Sequence, residues 1–341
     1  MAPKAWSADK PRIKAGQIGT AHAHAAGKMA AMRKLSRDYE LVGIAEPDEE
    51  RRRQAQKDPA YRDLPWLSVD DLLATPGLQI VAVETQVRDL LPTAARCVAA
   101  GVHIHLDKPA GESLPAYAKL LADATARKLT VQMGYMLRYN PAMQLCYQLA
   151  RQGWLGELFE ASATMSKLSG QATRKELAAY PGGIMFELGC HIIDSLIHVL
   201  GKPDKVTAFS RQTRPQLDNL VDNQLAVLEY PKATATVRSS LVEVHGERRR
   251  QFVVCGSEGT VDIRPLEPGT KVLVAMQKAR DPYKAGYQEI TLPAPTGRYD
   301  GEFIDLAKVV RGEKQFEFTP EHDLAAHETI LRASGLAVDK K

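Results

Sequence analysis

The sequence predicts an α/β protein in two parts. An N-terminal domain is built on a doubly wound parallel sheet, and a C-terminal α+β domain on a larger, mostly antiparallel sheet. Three observations predict this. Up to about residue 133, short apolar runs alternate with helical stretches at the spacing of βαβ units. The first such run leads through Ile18-Gly19-Thr20-Ala21-His22-Ala23-His24 straight into a helix, which is the position of a dinucleotide-binding turn. From residue 205 onward most segments read as strands, and neighbouring strands in such a series usually pair antiparallel.

The elements follow in order. Residues 13–18 are a short strand and 22–35 an Ala-rich helix. A second strand covers 39–45, and a charged helix begins at Asp48. Ser68 caps a helix running to 73, with Asp70 and Asp71 in its first turn beside the positive end of the helix dipole. Residues 78–83 are almost continuously apolar, as in a strand buried on both faces. A helix over 90–100 stops at Gly101; strand 102–106, helix 114–126 and strand 129–133 complete the series. The character changes after Asn140-Pro141: a helix to about 151, a strand over 158–165, a polar stretch at 167–175 read as a solvated loop, and then an apolar helix. Strands are expected at 206–209, 224–229, 234–242, 251–255 and 272–275, and closing helices at 301–311 and 321–333. The expected division is a polar tail over 1–12, a dinucleotide-binding domain over 13–139, and a substrate-binding and oligomerisation domain over 140–341.

Composition excludes several classes. Of 341 residues, 44% are hydrophobic and 25% charged, the proportions of an ordinary globular chain. A net charge of +4 is too small to argue for nucleic acid, and the triplets Arg51-Arg52-Arg53 and Arg248-Arg249-Arg250 read as solvated faces. No apolar run approaches the roughly 20 residues of a membrane span. Residues 1–12 lack the apolar segment of a secretory signal. Cys97, Cys146, Cys190 and Cys255 are far apart with no C-x-x-C pair, which argues against a zinc site and a disulfide framework and for a reducing, cytoplasmic setting.

Three segments carry chemistry. In the Gly-loop, Gly19 permits the tight turn and the following helix presents its N-terminus to a pyrophosphate. Ala21 stands where a second Gly is usual and His24 at the third. Glu46 ends the second strand, where a carboxylate accepts hydrogen bonds from an adenosine ribose and repels a 2′-phosphate. NAD(H) is therefore expected over NADP(H). His22 and His24, two apart, do not share a helix face, so packing or exposed roles are expected of them rather than metal ligation. In Val102-His-Ile-His-Leu-Asp-Lys-Pro109 a strand ends at the ligand-binding edge of the sheet, where Lys108 can hold a hydroxyl and offset developing negative charge. In Pro181-Gly-Gly-Ile-Met-Phe-Glu-Leu-Gly-Cys-His-Ile-Ile-Asp194, the residues Glu187, His191 and Asp194 fall at i, i+4 and i+7, one face of an otherwise apolar helix. That pattern suits an acid/base site or a structural network. As a metal site, Glu187, His191 and Asp194 lack a clear fourth ligand, and no metal is expected.

Together these segments resemble the Gfo/Idh/MocA family, over nearly the whole chain. Asp107-Lys108-Pro109 is similar to the family's Glu-Lys-Pro. Gly182-Gly183-x-x-x-Glu187-x-Gly189-x-His191-x-x-Asp194 is similar to its G-G-x-x-x-D-x-G-x-H-x-x-D, and Arg138-Tyr139-Asn140-Pro141 to its R-x-x-P junction. The resemblance implies an N-terminal Rossmann domain and a C-terminal domain with an open sheet, and that Lys108, Glu187 and His191 converge on the nicotinamide as catalytic residues. It implies a cofactor-binding set of Gly19, Thr20, Ala21, His22, His24, Glu46, Thr85, Asp107 and Lys108. Substrate binding is expected of Lys108, Arg138, Tyr180, Glu187 and His191, while Asp194 supports the helix. The departures are a shorter acid at Asp107, a longer one at Glu187, the altered Gly-loop, and Gln86-Val87 after Thr85 with Leu90 in place of a frequent His. The expected activity is an NAD(H)-dependent oxidoreductase acting on a CH–OH group of a sugar, polyol or cyclitol, in a homodimer or homotetramer with neither membrane nor nucleic-acid partner. Two alternatives stay open: an NAD-retaining glycosidase or lyase of the same family, and a non-catalytic NAD- or sugar-binding sensor.

Overall fold

The computed structural model describes residues 10–338; residues 1–9 of the expected tail lie outside the described residues. By its internal contacts the chain divides into two units. In the first, the strands β1 (Ile13–Ile18), β2 (Tyr39–Ala45), β3 (Trp66–Leu67), β4 (Leu78–Val83), β5 (His103–Leu106) and β6 (Val131–Met133) form one sheet in the order β3-β2-β1-β4-β5-β6. Every pairing is parallel. The order reverses between β1 and β4, and at such a switch point the carboxyl ends of the strands open a crevice. The helices of this part are α1 (Ala25–Lys34), α2 (Glu49–Ala55), α3 (Val69–Leu73), α4 (Val87–Ala99) and α5 (Leu114–Ala126). Ser68 caps α3 as expected, its hydroxyl accepting from the amide of Asp71 at 3.0 Å. The first helix starts later than expected. The amide of Ala25 bonds to the carbonyl of His22 and that of Lys28 to His24, so His22 to His24 belong to the turn.

The second unit carries an eight-stranded sheet of β7 (Leu158–Thr164), β8 (Lys205–Arg211), β9 (Asn223–Glu229), β10 (Thr234–Ser240), β11 (Gln251–Gly256), β12 (Gly259–Ile263), β13 (Lys271–Met276) and β14 (Gly286–Thr291). Its order is β14-β13-β12-β11-β7-β10-β9-β8, antiparallel throughout except for the parallel pair β10–β7. Alternate residues such as Ala226, Leu228, Ala235, Val237, Phe252 and Val254 are buried, which is the mark of a sheet with one covered face. The remaining helices are α6 (Pro141–Arg151), α7 (Gln171–Leu177), α8 (Cys190–Leu200), α9 (Asp300–Val310) and α10 (Pro320–Ala333).

Three expectations are corrected here. The segment Gly297–Glu317 folds with the first unit rather than with a C-terminal block. Phe303, Leu306 and Ala307 of α9 complete the core formed by Ile13, Met29, Met32 and Tyr39, and the Tyr39 hydroxyl donates to the Phe303 carbonyl at 2.6 Å. The polar stretch at 167–175 is not a solvated loop: it includes most of α7, and Arg174 is buried on Asp218 (2.8 Å) and Asp222 (2.9 Å). The strands β3, β12 and β14 also went unexpected. No helix among the described residues is long and apolar enough to cross a membrane.

Candidate active site

In the first unit the Gly-loop closes over the ends of β1 and β4. Gly19 has φ +91°, and a Cβ there would lie 2.6 Å from the Thr85 amide nitrogen, so both conformation and space require glycine. The amides of Ala21 and His22 donate to the Glu84 carbonyl at 3.2 and 3.3 Å, which fastens the loop to the end of β4. Glu46, just past β2, accepts from the amide and hydroxyl of Thr20 at 2.6 and 2.7 Å through one oxygen, and from the Asp48 amide at 3.0 Å through the other. Both carboxylate oxygens are thus bonded to groups of the protein itself. A cavity of about 530 Å³ opens beside it, lined among others by Ala21, Glu46, Arg51, Thr85, Arg88 and Arg96. Its position at the switch point, the glycine-only turn and the carboxylate at its wall fit the adenosine half of a dinucleotide.

Asp107 faces inward. It is fully buried, and its Oδ1 accepts from the Lys28 ammonium and from the Lys108 amide, both at 2.8 Å. Its Oδ2 lies 2.5 Å from Nδ1 of His22 and 3.7 Å from Nδ1 of His24. Lys28 is shared with Glu84 at 3.0 Å. Burial alone would lower the Lys28 pKa, but the charges of Asp107, Glu84 and Glu302 drive it up. Burial, and then the negative charge of Asp107, push the Glu84 carboxyl well above the ordinary range. Burial works against Asp107 ionising, yet His22 and Lys28 hold its pKa well below normal. Asp107 therefore fixes the peptide of Lys108 from behind. Lys108 itself is buried, and Thr85 lines the cavity. The helix-face rule does not apply to His22 and His24, because both precede the helix: their rings lie 4.8 Å apart and turn toward the same carboxylate. Sequence reasoning missed Lys28 and Glu84. A signal existed for Lys28, which shares the buried face of α1 with Ala25, Met29 and Met32.

In the second unit the expected stripe of Glu187, His191 and Asp194 is divided by a change of helix type. Met185–Gly189 forms a π-helical turn, and α8 begins at Cys190. The wider turn breaks the 3.6-residue period on which a common face depends. Glu187 is half-buried. His191 is 3% exposed, with its ring edge-on to Tyr135 at 5.9 Å. Asp194 turns to Arg138, which binds it with two hydrogen bonds of 3.0 and 2.6 Å, and accepts a third from Nε2 of His322 at 3.0 Å. Burial disfavours its charge, but the Arg138 guanidinium and the His322 hydrogen bond hold the Asp194 pKa well below the carboxylate range.

Arg138, expected at the substrate, is instead enclosed. It is fully buried, also bonds Asp323, and lies over the Phe318 ring at 3.9 Å. Its five-donor fork serves two internal carboxylates, an arrangement set by residues of α8 and α10 that no local motif announces. Tyr180 stands half-buried in the turn after α7, its amide donating to the Leu177 carbonyl at 3.0 Å.

Comparison with known proteins agrees with this geometry. The oxidoreductase family with an NAD-binding Rossmann fold matches residues 13–135, and the GFO/IDH/MocA C-terminal domain matches residues 143–262. The chain belongs to the Gfo/Idh/MocA family of NAD(H)-dependent oxidoreductases. Among its relatives, trans-1,2-dihydrobenzene-1,2-diol dehydrogenase of Sus scrofa is 26% identical over 267 residues, 76% of this chain and 74% of that protein. The uncharacterized oxidoreductase YhhX of Escherichia coli is 28% identical over 231 residues, covering 62% of this chain and 64% of that one. Levoglucosan dehydrogenase in complex with NADH and levoglucosan shares the fold at a TM-score of 0.78, with 16% identity over 95% of this chain and 98% of that chain.

Proposed function

We propose that this protein is a dehydrogenase that moves a hydride between nicotinamide and a secondary alcohol of a sugar, polyol or cyclitol. The observation that carries the reading is the lysine that ends β5: Lys108 is buried, with its backbone amide fixed by Asp107. A buried lysine at that sheet edge is suited to an alcohol oxygen that gains negative charge. Gly19, Thr20, Ala21, His22, His24, Glu46 and Thr85 would hold the dinucleotide, which supplies the hydride acceptor when bound. Lys108 would hold the reacting oxygen, and His191 would take its proton, as suits an imidazole whose ordinary pKa lies near neutrality. Glu187 would orient substrate or imidazole, and Tyr180 would contact the substrate. Asp194 is committed to Arg138, which leaves Glu187 and His191 as the pair for chemistry. Relatives named as a diol dehydrogenase and a levoglucosan dehydrogenase support an alcohol substrate of this class. Phe209, Leu273 and Tyr287 are exposed on strands of the second sheet, which supports a homodimer or homotetramer that covers this sheet.

The test is turnover with NAD⁺ across a panel of polyols, sugars and cyclitols. Lys108→Ala and His191→Ala should each lose on the order of 10²–10⁴ in rate while NADH affinity stays within a few-fold. Near-normal activity in His191→Ala would make the imidazole structural. Product formed without net NADH would point to a glycosidase or lyase, and NADH binding without turnover on any substrate to a sensor.

A further inference from the structure

We propose that His22, His24 and Asp107 form a binding site for a divalent transition-metal cation of the zinc or cobalt type, in the turn that precedes α1. Two imidazole nitrogens and one carboxylate oxygen lie within 4.8 Å of one another, a donor set suited to such ions. The two measured approaches to Oδ2, 2.5 and 3.7 Å, straddle the roughly 3.3 Å that separates donors around a tetrahedral ion with bonds of about 2.0–2.1 Å. Shifts of about an ångström, within reach of side-chain rotation, would bring the three donors onto one cation.

The second observation is the state of the carboxylate. Oδ2 of Asp107 is buried, and its nearest polar neighbours are the two imidazole nitrogens, His22 Nδ1 at 2.5 Å and His24 Nδ1 at 3.7 Å. The opposite oxygen is already served by the Lys28 ammonium and the Lys108 amide, so the carboxylate is held with Oδ2 aimed between the two imidazoles. This is the supporting arrangement that orients a metal-ligating carboxylate. Lys28 is itself drawn toward Glu84, and its charge lies on the far oxygen from the proposed ion. The His24 side chain is 23% exposed, which leaves a route from solvent.

The experiment uses the full chain, free of any affinity tag, stripped with EDTA and dialysed. Titration with Co²⁺ is followed by its visible d–d bands, and with Zn²⁺ by calorimetry. One saturable equivalent is expected, reversible by chelator. His24→Gln should weaken binding roughly tenfold or more, and the His22→Ala/His24→Ala pair should abolish it, whereas His245→Ala on an exposed turn should leave it unchanged. Circular dichroism melts establish that each variant is folded; should the pair fail to fold, the single His24→Gln variant decides. Absence of one-equivalent binding in the unaltered chain, or unchanged binding in a folded His24→Gln variant, would overturn the site.

Discussion

Replacing Arg138 with Met tests whether this residue organises the second unit or meets the substrate. The guanidinium is fully buried against Asp194 and Asp323, neither of which is exposed beyond 3%. Two of its bonds to Asp194 are 3.0 and 2.6 Å. Met fills much of the same space but leaves the two buried carboxylates with only the His322 imidazole, 3.0 Å from Asp194, in place of the guanidinium. Removing one member of a buried ion pair costs about 3–5 kcal/mol, a large part of the roughly 5–15 kcal/mol that holds a domain folded. The loss should depend on pH with a definite sign. In the unaltered protein Asp194 has a depressed pKa, so it contributes stability above its unfolded pKa that disappears as pH falls toward its folded value. In the variant both carboxyls are pushed up and take protons readily, so acid relieves the repulsion. The stability gap should therefore be widest near pH 7 and narrow toward pH 4. Urea unfolding of both proteins at several pH values measures it, alongside kcat and KM on the best substrate for enzyme that remains folded. A gap below about 1 kcal/mol at pH 7, well short of the buried-pair range, combined with a raised KM, would refute the structural assignment and return Arg138 to the substrate.

Glu46→Ser should narrow the preference for NADH over NADPH by about 1.5–3 kcal/mol for each charge-assisted hydrogen bond lost, read from dissociation constants; equal affinities in the unaltered protein would contradict the role of this carboxylate. Glu187→Asp should lower kcat/KM, because the shorter acid withdraws from its partner, and a higher value would show that the longer residue is a defect. Glu187→Gln should move the kinetic pKa of the base downward if the carboxylate stabilises imidazolium on His191. His105 is fully buried, and burial followed by the Lys28 charge lowers its pKa to about 3. The folded protein therefore binds fewer protons than the unfolded chain below pH 6.5, and stability falls on acidification. Between pH 7 and pH 5 this single group should remove roughly 2 kcal/mol, a loss absent in His105→Gln. An NMR titration showing His105 charged at pH 6 would contradict it.

The sequence by itself determined five of the six strands of the first sheet, because short apolar runs alternate with helical stretches at the spacing of βαβ units; the two-residue edge strand β3 is too short to show a pattern. It also determined Gly19, since a tight turn after β1 admits no side chain, and the placement of Glu46 at the end of β2. Both are local consequences of where a strand stops. In the second unit, β8 to β11 and β13 carry enough apolar and β-branched residues to be legible, while β12 (Gly-Thr-Val-Asp-Ile) has few large apolar residues and β14 (Gly-Tyr-Gln-Glu-Ile-Thr) is largely polar and exposed. Only the tertiary structure decided the polar networks. Lys28 meets Asp107 across 79 residues, Arg138 meets Asp194 across 56 and Asp323 across 185. Spacing reports which side chains share a face of one element, but a buried charge is satisfied by whichever opposite charge the fold brings to it. A lysine on an apolar face, or an arginine in a junction motif, announces only that a partner must exist. Packing of α1 on the sheet and of α8 beside α10 chose those partners, and turned Arg138 from an expected substrate contact into an internal clamp.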